Sequence, residues 1–211
     1  MYNIITVKHG KLYGSEYVNN MYNMISRHLT LPYEFYCLTD DEINLNSNIN
    51  VIKFPKKFHL KGWWCKPYIF KTGLFETGDV NFYIDLDMVI VDNIDCYMTF
   101  DEGKFVGLRD FGHDRLTRLA SGIMRWENNT MNMIWERLTR DPAIPGRFPG
   151  DQEYIWQYQK DQLSYFPPEW TPSYKYHIKK NKTYDQKKII AFHGRPNPHE
   201  VTDQIIVDNW K

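Results

Sequence analysis

Two acids one residue apart, Asp85 and Asp87, interrupt an apolar run that extends from Asn81 through Phe82-Tyr83-Ile84-Asp85-Leu86-Asp87-Met88-Val89-Ile90-Val91 to Asp92. The run is rich in strand-forming residues and reads as one buried central strand that emerges at a polar edge. Ionised carboxylates at the end of a core strand are costly unless a cation holds them or their pKa values separate. A single acid there is explained by a turn cap or an Arg or Lys partner. Asp-x-Asp after such a run points instead to a divalent-metal or phosphate site. Near the other end of the chain, Phe192-His193-Gly194-Arg195-Pro196-Asn197-Pro198-His199 presents an imidazole on a rigid loop, with Arg195 two residues on. A lone histidine is usually structural, but beside an unexplained carboxylate pair His193 becomes a candidate third metal ligand. Two further groups have both a plain and a functional explanation. Lys66 is either a solvated lysine beside Trp63 and Trp64 or a phosphate contact at a helix N-terminus. Asp151 is either an N-cap or a catalytic acid.

These groups need elements to position them. Asn3–Lys8 reads as a first strand, then a loop with Gly10 and Gly14, then a helix capped by Ser15 with Tyr17, Met21, Met24, Ile25 and His28 at helical spacing. Phe35–Thr39 and Val51–Phe54 are the next strands, the latter stopped by Pro55. Pro67 predicts the first turn of a helix with Ile69, Phe70 and Leu74 inward and Gly78 as the stop. After the acidic strand come strands over Phe105–Leu108 and Ala120–Trp126, where Gly122 permits a close approach to the backbone. A helix begun by Asn128 or Asn129 buries Met131, Ile134, Trp135 and Leu138; a loop runs from Pro142 to Gly150; Asp151 opens another helix. A basic, tyrosine-rich segment, Tyr174–Lys188, precedes a last strand over Lys187–Phe192 and a closing helix over Asp203–Trp210. Strands alternating with helices favour an α/β fold with a mostly parallel sheet flanked by helices. Ligands collect at the carboxyl ends of such strands, which gathers Lys8, His9, Asp40 and Asp85 on one edge.

The 211 residues are expected to form one domain. Lys plus Arg and Asp plus Glu both number 26, so no overall field draws the chain to nucleic acid, and the lysines between Tyr174 and Lys188 read as a solvated face. Cys37, Cys65 and Cys96 have no metal-finger spacing and read as thiols in a reducing compartment. No segment predicts a signal peptide or membrane span, so a soluble cytoplasmic protein is expected. Seven Trp and fifteen Tyr exceed what a core of this size requires, which hints at rings lining a groove for a flat or sugar-like ligand.

In order along the chain, five segments resemble those of GT-A type glycosyltransferases, most of all the glycogenin-like and lipopolysaccharide galactosyltransferase-like retaining group. Trp63-Trp64-Cys65-Lys66-Pro67-Tyr68 resembles the aromatic and basic segment before the metal strand, and Tyr83-Ile84-Asp85-Leu86-Asp87-Met88-Val89 resembles the Asp-x-Asp metal motif. Ala120-Ser121-Gly122-Ile123-Met124, Gly150-Asp151-Gln152-Glu153 and His193-Gly194 resemble three later motifs. The resemblance implies a GT-A (Rossmann-like) domain, with residues 1–100 as a nucleotide-binding half and residues 101–211 as an acceptor half ending in the histidine loop. It implies transfer of a sugar from a nucleoside-diphosphate sugar, expected to be UDP-linked, to a saccharide or other hydroxyl acceptor, with retention. Asp85, Asp87 and His193 would hold Mn²⁺ or Mg²⁺, the imidazole tilting preference to Mn²⁺. Lys66 and Arg195 would flank the diphosphate, Thr6, Val7, Lys8, Asp40 and Leu86 would line the donor site, and Asp151 and Gln152 would face the anomeric carbon. If the reaction inverts instead, Asp151 is the base. The chain departs from the group at Ala120, where an Asn is usual, and after His193, where Gly194 follows directly and no lysine falls in step, so Arg195 or His199 would make the diphosphate contact.

Two other readings fit parts of the pattern. Ile84-Asp85-Leu86-Asp87-Met88-Val89 also suits a haloacid-dehalogenase-like phosphatase with Asp85 as nucleophile, although no later lysine and Asp-Asp set accompanies it. A nucleotide or carbohydrate binding module without chemistry is the third.

Overall fold

A computed structural model of the chain describes residues 1–55, 58–75, 80–112, 118–180 and 185–211. In order these form β1 (Tyr2–Lys8), α1 (Ser15–His28), β2 (Tyr33–Thr39), β3 (Asn50–Lys53), a 3₁₀ segment (Gly62–Phe70), β4 (Val80–Ile84), β5 (Met88–Ile90) and α2 (Asp95–Thr99). Then follow β6 (Phe105–Arg109), β7 (Leu119–Glu127), α3 (Asn132–Arg140), α4 (Ile144–Arg147), α5 (Asp151–Gln159), β8 (Leu163–Tyr165), β9 (Ile189–Ala191) and α6 (Gln204–Asn209). Seven strands make one sheet in the order β3-β2-β1-β4-β7-β6-β8. Within it β3, β2, β1 and β4 run parallel, as do β6 and β8, and β7 alone opposes both its neighbours. The mostly parallel sheet expected from the alternation of elements is therefore present.

Its central strands β1, β4 and β7 are buried on both faces. Ile4 and Phe82 pack with Val18, Met21 and Met24 of α1, while their sequence neighbours Ile5 and Tyr83 pack on the opposite side with Tyr68, Trp126, Ile134 and Tyr154. Side chains alternate along a strand, so an uninterrupted apolar sequence is what a sheet covered on both sides requires.

Several boundaries differ from the sequence reading, each for a local reason. The run Asn81–Asp92 is two strands. The N–H of Asp85 makes a last ladder bond to Gly122 O at 2.8 Å, and the N–H of Met88 returns to Asp85 O at 3.3 Å. This turn sends β5 out of the main sheet to pair antiparallel with β9, Met88 opposite Ala191. No α-helix starts at Pro67. The 3₁₀ segment carries Pro67 inside it and ends at Lys71 in extended conformation; a proline lacks an N–H and obstructs the carbonyl four residues back, which opposes α-helical continuation. Gly78, the expected stop, lies outside the described residues.

Gly14, not Ser15, precedes α1, and Gly150, not Asp151, precedes α5, neither helix having a side-chain cap. The helix expected from Asn128 or Asn129 starts at Asn132, after Asn128 adopts a left-handed φ of 51°. The expected loop from Pro142 contains the single turn α4, and the three-residue β8 is an edge strand that the sequence reading passed over.

Candidate active site

The carboxyl end of β4 and the start of β7 meet because the two strands are antiparallel, with Ile84 opposite Ile123. Ser121 and Gly122 thereby come beside Asp85. A Cβ at Gly122 would lie 2.4 Å from Met88 Cε and 3.3 Å from Asp85 Oδ2, so glycine is what lets the acid close on β7. Tyr83, two residues before Asp85 and so directed to the same side, donates its hydroxyl to Asp85 Oδ1. The 3₁₀ segment sets Lys66 across from this edge. Its ammonium lies 3.1 Å from both Asp85 oxygens, 3.1 Å from Ser121 Oγ, 3.2 Å from Ser121 O and 3.4 Å from Asp151 Oδ2. Ser121 Oγ in turn donates to Asp151 Oδ2 at 2.8 Å. What looked like an N-cap at Asp151 is instead one corner of a buried charge cluster.

Burial alone would lower Lys66, but the carboxylates of Asp151 and Asp85 outweigh it and hold the lysine above its ordinary value. Burial likewise raises Asp85; Lys66 and the Tyr83 hydroxyl pull it part of the way back. Asp87 has less help. Burial and the nearby Asp85 charge push it up to about 7, against Lys66 and a 3.2 Å hydrogen bond from the Tyr13 hydroxyl. Among the described residues, one ammonium thus stands with three carboxylates, those of Asp85, Asp87 and Asp151.

The small sheet brings in the far end of the chain. The N–H of Phe192 donates to Asp87 O at 3.1 Å, which fixes the histidine loop against the second acid. His193 stacks on Phe111 with ring centres 5.1 Å apart and planes 9° apart, its Nε2 lies 2.7 Å from Ser173 Oγ, and Lys175 donates to its carbonyl at 3.2 Å. Burial and the Lys175 charge lower the histidine, favouring the neutral imidazole that a metal requires. Among the described residues no three His, Cys, Asp or Glu side chains stand close enough to form a ready-made ion cage.

Asp85, Asp87, His193, Lys66, Asp151 and Gln152 all line one cleft of about 630 Å³, together with Asp110, Ser121, Glu153 and the rings of Trp63, Phe111, Tyr176 and Phe192. Gln152 accepts from the Ser121 N–H at 3.4 Å and donates to Asp110 Oδ2 at 3.0 Å. Leu86 is buried between the two acids. Thr6, Val7, Lys8 and Asp40 lie at the ends of β1 and β2, outside the lining of this cleft. Thr6 Oγ1 is buried without a hydrogen-bond partner, Lys8 reaches Asp41 O at 3.4 Å, and Asp40 accepts the Gly10 N–H at 3.1 and 3.2 Å. Arg195 does not join the cleft: its exposed guanidinium pairs with Glu200, and His199 Nδ1 meets the Tyr17 hydroxyl at 2.5 Å. The cation beside the histidine loop is Lys175. Tyr83 was detectable from its i, i+2 spacing to Asp85, whereas Tyr13, Ser173 and Lys175 reach the site through tertiary contacts that no spacing announces.

A mostly parallel sheet with one opposing strand, and acids at the carboxyl end of its fourth strand, is the architecture that the GT-A resemblance implies. No protein-family model and no curated protein matches the sequence. Among solved structures the chain is similar to the glycosyltransferase GlyE of Streptococcus pneumoniae TIGR4, at 16 % identity and a TM-score of 0.69 over 94 % of this chain. It is also similar to the galactosyltransferase LgtC in complex with donor and acceptor sugar analogs, at 11 % identity and a TM-score of 0.65, covering 93 % of this chain and 88 % of that one. The chain spans 56 % of the length of GlyE. At these identities the likeness is one of fold.

Proposed function

We propose that the protein is a glycosyltransferase that moves a sugar from a nucleoside-diphosphate sugar, UDP-linked by resemblance, to an acceptor hydroxyl with the help of a divalent cation. The observation that carries this is the charge imbalance at the end of β4: one buried ammonium among three carboxylates, with Asp87 held near neutrality by burial and by Asp85. So acidic a cleft repels a diphosphate unless a cation comes with it. Asp85, Asp87 and His193 fit Mn²⁺ or Mg²⁺: two hard oxygen donors and a neutral imidazole whose Nε2 is held by Ser173, leaving Nδ1 for the ion. Lacking a closed cage, these residues would share the ion with oxygens of the diphosphate. When bound, the cation supplies Lewis-acid stabilisation of the charge that builds on the departing nucleoside diphosphate.

The chain's own residues do the rest. Lys66 fixes Asp85 and Asp151 in place, and Lys175 adds positive charge beside the histidine loop. Gln152, clamped between Ser121 and Asp110, presents a fixed amide near the anomeric carbon. Asp151 is buried and engaged by both Ser121 and Lys66, a poor disposition for a base that must reach an acceptor hydroxyl. That supports retention over inversion.

The test is a panel of nucleotide sugars with Mn²⁺, read by release of nucleoside diphosphate. One donor should be consumed, only with metal, and Asp87→Asn should lower turnover at least about a hundredfold. Turnover that survives both chelation and Asp87→Asn would sink the proposal.

A further inference from the structure

The cleft has one wall that the chemistry above leaves unused. Trp63 and Trp64 are neighbours in the 3₁₀ segment and point opposite ways. Trp64 is 9 % exposed and packs 5.9 Å from the ring of Tyr154, whereas Trp63 is 61 % exposed. An indole that buries itself in a core contributes strongly to stability, so one left open to solvent at a cleft suggests a ligand. A Cβ at Gly150 would stand 3.5 Å from Trp63 Nε1 and 3.7 Å from Cδ1, so one edge of the indole lies over the residue before Asp151, and the ring lines the cleft.

The surroundings select the ligand. Gln152 and Glu153 line the cleft beside that ring; an amide and carboxylates accept hydrogen bonds from hydroxyls. A pyranose offers both halves of the match, hydroxyls around its rim and a patch of C–H groups on its face that an indole removes from water. A nucleobase offers a face but few donors, a serine or threonine hydroxyl offers a donor without a face, and a tyrosine offers a face with a single donor. We propose that Trp63 is the platform on which the terminal sugar of the acceptor stacks, so that the acceptor is a saccharide. This rests on the glycosyltransferase reading, since it places the stacked sugar next to Asp151 and Gln152, where the donor sugar would be released.

Two measurements test it. The protein is labelled with 5-fluorotryptophan, and Trp63→Phe identifies the Trp63 signal among those of the seven tryptophans. Gluco- and galacto-configured methyl pyranosides and short oligosaccharides are then titrated, with sorbitol and uridine as controls. A pyranoside should shift the Trp63 signal saturably while sorbitol leaves it in place. In transfer assays with that saccharide, Trp63→Ala should raise the acceptor KM about tenfold while the donor KM moves less than about twofold, and Trp63→Phe should recover most of the loss. The platform is overturned if no saccharide shifts the Trp63 signal, if uridine shifts it in their place, or if Trp63→Ala leaves the acceptor KM unchanged. Failure of the wild-type protein to consume any donor would overturn the glycosyltransferase reading instead, and the titration alone would then decide the saccharide site.

Discussion

Lys66 is a buried cation whose neighbours depend on it. Replacing it with Met leaves Asp85 and Asp151 without their counter-charge, and breaking a buried pair in this way costs about 3–5 kcal/mol. Urea unfolding of Lys66→Met should show that loss. Asp87 makes the opposite case. Its folded-state value, about 7, lies above the ordinary value of a carboxyl, so the folded protein binds the extra proton. Stability of the metal-free protein should therefore fall as pH rises from about 4 to about 7 and level off beyond. Asp87→Asn should flatten that slope and stabilise the metal-free protein at pH 8. At this scale the sequence singled out residues that the structure gathers at one cleft and was silent about their partners. Asp85, Asp87, Lys66, Asp151 and His193 could be named from residue type and position. That Lys66 is engaged by carboxylates, and that Arg195 turns away to Glu200, follows from tertiary geometry alone.

At the scale of elements, β7 matters through the one residue it lacks a side chain for. Gly122→Ala would set a methyl 2.4 Å from Met88 Cε and 3.3 Å from Asp85 Oδ2. The methionine can move and the acid cannot without leaving Lys66. Overpacking of this kind costs about 1–3 kcal/mol, and sugar transfer should fall further than stability does, measured side by side by unfolding and donor consumption. Helix α1 offers a pH test of opposite sign to that of Asp87. At its last residue, His28, burial and the adjacent Arg27 lower the imidazole and outweigh both Asn209 and the helix dipole. The folded state then prefers the neutral ring, so this contribution is complete above about pH 6.5 and is lost as pH falls below it. His28→Gln should remove that acid-side slope in thermal unfolding. The strands were legible because continuous Ile, Val, Phe and Tyr runs have few other uses. The 3₁₀ segment was not, since Pro67 signals a helix start equally well and only packing shows that the turns lie before it.

Over the whole molecule, the middle of the sequence and its C-terminal part are tied through a pair of three-residue strands. β9 arrives from the basic, tyrosine-rich segment, pairs with β5 and delivers His193 beside Asp87. Ile190 is fully buried at the centre of that pairing, so Ile190→Ala should cost about 2–5 kcal/mol. Hydrogen exchange should quicken at residues 88–91 and 189–192 together while the β1–β2 pair keeps its protection. No periodicity in the sequence foretold this second sheet, because an apolar run says that a strand is buried and not which strand it joins. The division has a chemical result. One acid is rooted in the large sheet and its companion in the small one, with a lone leucine as the bridge. The jaw width that the proposed ion would meet is therefore set by how two separate ladders lie across each other. A shift of a fraction of an ångström beneath β9 would reset it, so the ionic-radius preference of the proposed site would answer to residues that never touch a ligand.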